Sequence, residues 1–272
     1  MGKTWPAIDV TLGDADANTD LLLAAADDYS PTAVEERDST LRIFFATADS
    51  RDRAAAALGP RFAVTAVDVD DEDWAKRSQE GLAPITVGRI TIHANPKSPI
   101  PNPDAIVIPP SMGFGTGHHA TTRLCLAALQ TIDLHGKFVL DVGTGSGLLA
   151  IAAVTLGAAR AVGIDDDADA IQAARENLDF NRVTNVEFVV GDLMKDDLPP
   201  ADVVLANLTG AMVVRAASRL VKAVRPGGVL IVSGVLATER DEVRRAFANL
   251  AIAADVKEDS EDEWLGFTLK SS

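Results

Sequence analysis

The sequence predicts an α/β protein in which a doubly wound, mostly parallel sheet follows a smaller α+β domain. From Lys137 onward, short apolar runs alternate with helix-like segments, and this rhythm requires parallel strands joined by right-handed crossovers. The N-terminal part instead orders its elements as strand, helix, strand, strand, helix and strand, which is typical of a small sheet with two helices on one face. Two strand-like runs near the end of the chain predict a hairpin that places an antiparallel strand in the large sheet.

The residues before the large sheet divide into a small domain and a connecting segment. In the small domain we expect strands over residues 5–12, 31–36, 40–47 and 62–69, and helices over residues 17–28 and 51–58. An acidic run then leads into a helix around Trp74, and the prolines between Pro96 and Pro110 exclude helix interiors and central strands. We therefore predict a first domain over residues 1–70, a linker helix and extended linker over 71–100, and a second domain over 101–272.

In the second domain the alternation is regular enough to assign each element. The predicted strands are KFVLDVG, AVGIDD, VEFVVGD, DVVLANL and VLIVSGVL, followed by the hairpin runs IAADVKED and EWLGFTLKS. The predicted helices between them are LLAIAAVTLG, ADAIQAARENLDFN and AMVVRAASRLVKAV. Together these runs make a sheet of seven strands.

Composition narrows the classes of function. The 272 residues carry a formal net charge of -15, and an acidic surface repels nucleic acid while it can attract a basic protein partner. Cys125 is the only cysteine, so an intrachain disulfide and a thiolate metal site are excluded. Histidines and acids show no metal-ligand spacing, and we predict no metal. Without a leader-like or membrane-spanning pattern, we expect a cytoplasmic, monomeric protein with no membrane association.

The turn DVGTGSG, residues 141–147, follows the first strand of the large sheet. In a doubly wound sheet this position borders the ligand crevice, and its glycines let the backbone approach a ligand closely. A dinucleotide fingerprint requires a third small residue where the bulky Leu148 stands, which favours a ligand without pyrophosphate. The candidate cofactor-binding residues here are Asp141, Gly143 and Gly145, although a purely structural strand-to-helix turn remains an alternative.

Two further strands end in polar residues. Asp165 follows the glycines by about 20 residues at the end of the second strand, where a carboxylate can accept both hydroxyls of a ribose. Asp166, Asp167 and Asp169 are better placed to cap the next helix. Asn207 ends the fourth strand and either faces the ligand crevice or caps the following helix. The glycine turn, the acidic residue and the terminal hairpin together resemble a class I S-adenosylmethionine-dependent methyltransferase, with a Rossmann-like seven-stranded sheet.

A loop ahead of this sheet carries a more specific resemblance. The residues that match the form F-G-T-G-x-H-x-T-T, the hallmark of the PrmA family, are Phe114, Gly115, Thr116, Gly117, His119, Thr121 and Thr122. The region from Met112 to Val183 closely resembles this family, whose members methylate protein eleven of the large ribosomal subunit. Later motifs extend the resemblance to roughly residues 70–272. The resemblance implies that the small domain is a ferredoxin-like substrate-recognition domain.

The same resemblance implies roles for individual residues. Thr122, Gly143, Asp165 and Asn207 are expected to contact S-adenosylmethionine, and the loop is expected to fold back over the methionyl end of the cofactor. We hypothesise that Asn207 and the loop Phe114 to Gly117 position a substrate amine. His119 is a candidate for proton removal, and a structural role in the loop is an equal alternative.

The expected activity is transfer of methyl groups from S-adenosylmethionine to lysine or N-terminal amines of a ribosomal protein. Ser78 and Leu82 stand where the family has linker aromatics, so a methyltransferase acting on another protein or a small molecule is the alternative. An NAD-dependent oxidoreductase is disfavoured by Leu148, and an inactive ribosome-associated module is the remaining rival.

Overall fold

The chain forms two compact units, Met1–Gly81 and Leu82–Ser272. The structure is a computed structural model. It describes residues 4–11, 22, 26, 29, 31–37, 40–70, 83–96, 102, 104–109, 119–248, 250, 252 and 256–271.

The first unit contains an antiparallel sheet with strand order β2-β3-β1-β4. Its elements are β1 (Thr4–Thr11), β2 (Pro31–Arg37), β3 (Thr40–Phe45), α1 (Ala48–Leu58) and β4 (Ala63–Asp70). Alternate strand residues such as Ile8 and Ile43 pack against Ala54 and Leu58 of α1, as a sheet with one covered face requires. The strand order is that of the ferredoxin-like arrangement predicted from the sequence.

Two predicted helices of this region fall largely outside the described residues. In the helix expected over residues 17–28, Leu22 and Ala26 are described, and both are helical and buried. The linker helix expected around Trp74 lies entirely outside the described residues.

The second unit is built on a seven-stranded sheet with order β10-β9-β8-β11-β12-β14-β13. The strands are β8 (Phe138–Val142), β9 (Arg160–Asp165), β10 (Val186–Val190), β11 (Ala201–Asn207), β12 (Val224–Leu236), β13 (Val256–Glu261) and β14 (Trp264–Lys270). The first five run parallel, β14 runs antiparallel to β12, and β13 runs antiparallel to β14. The doubly wound sheet and its terminal hairpin are confirmed.

Helices cover both faces of this sheet. They are α2 (Ala120–Leu129), α3 (Leu148–Thr155), α4 (Ala168–Asp179), α5 (Gly210–Ala223) and α6 (Arg240–Ala248), the last preceded by a 3-10 turn, Ala237–Glu239. Successive residues of β8 enter different cores: Val139 packs in the core shared with α2, α3 and α4, and Leu140 in the core shared with α5 and α6. The apolar runs of the parallel strands are therefore buried on both faces. None of the helices in the described part of the chain combines the length and apolar character that crossing a membrane requires.

A second, three-stranded sheet belongs to the same unit. It consists of β5 (Ile85–Val87), β6 (Ile90–His93) and β7 (Ala105–Val107), so two of its strands fall within the range predicted as linker. Ile90, Ile92 and Ile106 are buried in the core of the large sheet, which explains why the unit boundary precedes residue 85 instead of lying near residue 100. Asn181 also ties this sheet to the unit, since its side chain bonds both backbone groups of Val107 at 2.9 Å.

Candidate functional site

The glycine turn between β8 and α3 places backbone without side chains at the carboxyl end of the parallel strands. Gly143, Gly145 and Gly147 all have positive φ, at 70°, 52° and 80°. A Cβ on Gly143 would lie 2.4 Å from Cδ2 of Leu208, and one on Gly147 would lie 2.5 Å from Cζ of Phe188. Glycine is therefore required at these two positions both by backbone conformation and by space. The missing side chains let a ligand approach the backbone of the turn closely, while the N–H groups of all three glycines already donate within the protein.

Asp165 lies beside this turn, at the tip of β9. Its Oδ2 accepts a hydrogen bond from the N–H of Gly145 at 2.9 Å, and its Oδ1 accepts one from Asp167 at 3.1 Å. The half-exposed carboxylate retains lone pairs that can accept ligand hydroxyls. Asp167, and not Asp165, caps α4, because its side chain accepts from the N–H of Asp169 at 2.8 Å. The structure thus separates the capping residue from the ribose candidate, as the sequence suggested.

Asp141 is buried under the same turn with only 1% of its surface exposed. Thr144 donates its hydroxyl hydrogen to Oδ2 at 2.6 Å, whereas Oδ1 makes no hydrogen bond with any described residue. Burial raises the pKa of this carboxyl group to about 6, the Thr144 hydroxyl and the Ala150 backbone N–H act to lower it, and the nearby charge of Asp165 raises it further. A buried acceptor without a partner costs free energy, so this atom is suited to a ligand donor, above all a cationic one.

Asn207 ends β11 and meets Thr122 from the first turn of α2. Its Nδ2 donates to Oγ1 of Thr122 at 3.4 Å, across 85 residues of sequence, and Thr122 is only 2% exposed. The cap of α5 is Thr209, whose hydroxyl accepts from the N–H of Met212 at 3.4 Å. Of the two alternatives for Asn207, the helix cap is therefore not the one observed.

His119 is the N-cap of α2. Its Nδ1 lies 2.8 Å from Oγ1 of Thr121 and accepts a longer hydrogen bond, 3.4 Å, from the Thr121 N–H. Its ring packs edge-to-face on Trp264, with centroids 4.8 Å apart. These contacts assign His119 a structural role at the start of α2. The preceding loop residues Phe114, Gly115, Thr116 and Gly117, predicted to position the amine, lie outside the described residues.

A cavity of about 310 Å³ opens beside Gly143 and Asp165. Its walls include the loop after β10, Gly191 to Lys195, and the apolar side chains of Leu208 and Met212. Arg219 of α5 holds the loop, since its Nε donates to the carbonyl oxygen of Leu193 at 2.6 Å. This wall of the cavity was not predicted from the sequence. The Gly-Asp pair that ends VEFVVGD indicates it, because the carboxyl ends of all parallel strands border the same crevice.

Among the described residues, no cluster of three or more histidine, cysteine or acidic side chains could hold a metal ion.

Comparison with known proteins gives a consistent result. A family model described as ribosomal protein L11 methyltransferase (PrmA) matches residues 24–272. The chain is 37% identical to the ribosomal protein L11 methyltransferase of Geobacter metallireducens over 97% of both proteins, and 37% identical to that of Deinococcus radiodurans over 92% of both. Identity to the Aliivibrio salmonicida enzyme is 40% over 72% of this chain and 68% of that protein.

Solved structures include a similar fold. The ribosomal protein L11 methylase of Lactobacillus delbrueckii subsp. bulgaricus aligns with a TM-score of 0.63 at 24% identity, covering 70% of this chain and 98% of the other. At 24% identity, this comparison shows a similar fold and nothing further.

Proposed function

This chain belongs to the ribosomal protein L11 methyltransferase (PrmA) family, and we propose that it transfers methyl groups from S-adenosylmethionine to lysine or N-terminal amines of ribosomal protein L11. The observation that carries the proposal is the convergence, at one end of one sheet, of the glycine turn, Asp165 and the buried carboxyl group of Asp141. The substrate follows from the name shared by relatives aligned over more than nine tenths of their length.

The residues of the site fit this cofactor. Asp165 can accept the ribose hydroxyls, and Gly143 leaves space where a side chain would stand. Asp141 offers a buried anionic acceptor for a cationic group of the methionyl part. The apolar side chains of Leu208 and Met212 suit the flat face of the base. Thr122 and Asn207 complete the proposed set of cofactor contacts.

When bound, S-adenosylmethionine supplies a methyl group on a positively charged sulfur, which a neutral amine can take by in-line displacement. Asn207 is the residue that we assign to hold the amine. Its Nδ2 is directed to Thr122, so Oδ1 is the atom that can accept a hydrogen bond from the amine N–H. A lysine amine must lose a proton first, and transfer from water into the cleft lowers its pKa in the required direction.

His119 is the remaining candidate for removing that proton. Its hydrogen bonds to Thr121 and its ring contact with Trp264 favour the structural role. We therefore propose desolvation, and not a dedicated base, as the main source of the neutral amine. The Phe114 to Gly117 loop is proposed, from the family motif, to cover the methionyl end.

We further propose a cytoplasmic monomer whose acidic surface attracts a basic protein. The net charge of -15 supports such attraction and opposes direct contact with RNA.

The test is methylation of ribosomal proteins from a strain that lacks this gene. The purified protein is incubated with them and radiolabelled S-adenosylmethionine, and labelled positions are mapped by mass spectrometry. Asp165→Ala serves as the inactive control, and Asp169→Ala, at an exposed position in α4, as the matched acidic substitution that should keep activity. Label on ribosomal protein L11 supports the proposal; label on another protein, or none despite measured binding of S-adenosylhomocysteine, overturns the substrate assignment.

A further inference from the structure

The C-terminal hairpin contacts the first turn of α2 at two places. Arg123 donates to Oε1 of Glu261 from Nε at 2.8 Å and from Nη2 at 2.6 Å. The second contact is the edge-to-face packing of His119 on Trp264. Glu261 ends β13 and Trp264 begins β14, so a single hairpin turn makes both contacts.

Thr122 lies between the two anchored residues in sequence, next to Arg123. Its N–H donates to the carbonyl oxygen of His119 at 3.1 Å, and its hydroxyl accepts from the amide of Asn207. The first turn of a helix has few internal hydrogen bonds and frays readily unless something else holds it. The position of Thr122, and with it the orientation of Asn207, therefore depends on contacts from outside α2.

The hairpin turn is itself well defined. Among the described residues other than glycine, it is Asp262 that has a positive φ, of 53°. The carbonyl oxygen of the neighbouring Glu263 accepts a hydrogen bond from Ala237 at 2.8 Å. Aspartate tolerates this left-handed conformation better than most residues, so the turn can hold one geometry. It can thus serve as a fixed support for α2.

We propose that the Arg123–Glu261 ion pair is a positioning device for the methyl-transfer site, which holds Thr122 where it orients the amide of Asn207. Arg123 and Glu261 are positioning residues, since their contribution acts through Thr122. The catalytic consequence rests on the proposed function. The structural consequence, a restrained first turn of α2, does not.

The ion pair is suited to position a residue more than to stabilise the fold. Its side chains are 26% and 38% exposed, and pairs of this exposure contribute little to the free energy of unfolding. The pair can therefore be broken without loss of the folded protein, and effects on the site can be measured separately.

The test is a charge exchange. Arg123→Glu and Glu261→Arg are made singly and together, and two quantities are measured: hydrogen exchange of the amides at the start of α2, and steady-state methylation of ribosomal protein L11. Each single variant should speed exchange and lower kcat, both roughly tenfold, because small displacements of positioning groups are costly in rate. The exchanged pair should restore both to within about twofold of the unmodified protein, since the attraction is re-formed.

Arg244→Glu is the matched control. Arg244 lies in α6, not in α2, and pairs with Glu258 of the same hairpin at 2.9 Å, so its replacement should leave both measurements unchanged. The proposal is overturned if the single variants exchange like the unmodified protein, if the exchanged pair restores nothing, or if Arg244→Glu produces the same losses. The positioning role is also overturned if the single variants speed hydrogen exchange but leave kcat unchanged. If Arg123→Glu fails to fold, Glu261→Gln, which removes only the charge, is measured with the same criteria.

The two proposals fail separately in this design. Absence of methylation by the unmodified protein would refute the proposed function, whereas hydrogen exchange would still decide whether the ion pair restrains α2.

Discussion

The buried carboxyl group of Asp141 lowers the stability of the fold when it is charged, and we assign it a role in cofactor binding. Its pKa of about 6 in the folded protein lies above the unfolded value of 3.8, so the folded protein binds this proton more tightly. The free energy of unfolding contributed by this group therefore falls as pH rises from about 4 to 6, and the cost is fully present above pH 6. A cationic ligand that favours the carboxylate would offset this cost.

We expect Asp141→Asn to stabilise the ligand-free protein and weaken cofactor binding. At pH 8 the free energy of unfolding should increase by about 2 kcal/mol, because no buried charge remains. Urea unfolding at pH 5 and pH 8 measures this gain, which should shrink at the lower pH. Calorimetry with S-adenosylhomocysteine should show weaker binding than the unmodified protein, whose own affinity declines below pH 6. A variant that binds as well as the parent would contradict the assigned role.

Asn207 and Thr209 lie two residues apart, and we assign them different roles. Asn207→Ala should lower kcat roughly a hundredfold, since the amine loses its positioning acceptor, while the melting temperature changes little. Thr209→Ala removes the cap of α5 and should cost about 1 kcal/mol of stability with kcat unchanged. Kinetics and thermal unfolding of both variants check the pair of outcomes. Equal kinetic losses would indicate that Asn207 acts only through the fold.

His119 offers a direct test of base catalysis. His119→Asn keeps a side chain that caps helices but cannot accept a proton near neutral pH. If the role is the structural one observed, the variant should retain kcat within about threefold and the same pH profile. The measurement is kcat/KM from pH 6 to 10. Loss of an acidic limb from that profile would instead identify His119 as the base.

At the scale of elements, the glycine turn can be compared with a turn elsewhere on the same unit. Gly143 and Gly136 have nearly equal φ, 70° and 72°, but a Cβ would meet Leu208 at the first and nothing within 4 Å at the second. Alanine should therefore cost about 1 kcal/mol of backbone strain at either position. Only Gly143→Ala should also weaken S-adenosylhomocysteine binding, by about tenfold or more, because Leu208 must move within the ligand cavity. Similar affinities for the two variants, measured by calorimetry, would argue against a cofactor at this turn.

At the scale of the whole molecule, the charge of -15 should be visible in substrate kinetics. If a basic ribosomal protein is attracted to the acidic surface, KM for that substrate should rise severalfold between about 0.05 and 0.5 M salt, because salt screens exposed charges. Binding of S-adenosylhomocysteine should change far less over the same range. A substrate KM that is independent of salt would remove the electrostatic argument for the partner.

Strand alternation and glycine spacing were sufficient to predict the large sheet, its terminal hairpin and the position of the glycine turn. These features depend on local sequence, because periodicity indicates which faces of an element are buried and glycines indicate where the backbone has positive φ. The position of Asp165 at the tip of the second strand could be predicted for the same reason. The three-stranded sheet of the second unit was not predicted, because its strands have only three or four residues and lie among prolines, which favour a linker there.

Sequence alone thus determined the fold class, the family and the residue types at the crevice. The tertiary structure decided which of them meet: Thr122 with Asn207, Arg123 with Glu261, and His119 with Trp264. In the folded chain, Oδ1 of Asp141 has no hydrogen-bond partner that meets the distance and angle limits among the described residues, and the loop after β10 forms a wall of the cavity. Such contacts join residues up to 145 positions apart, and their geometry depends on how helices pack on the sheet, which no local pattern specifies.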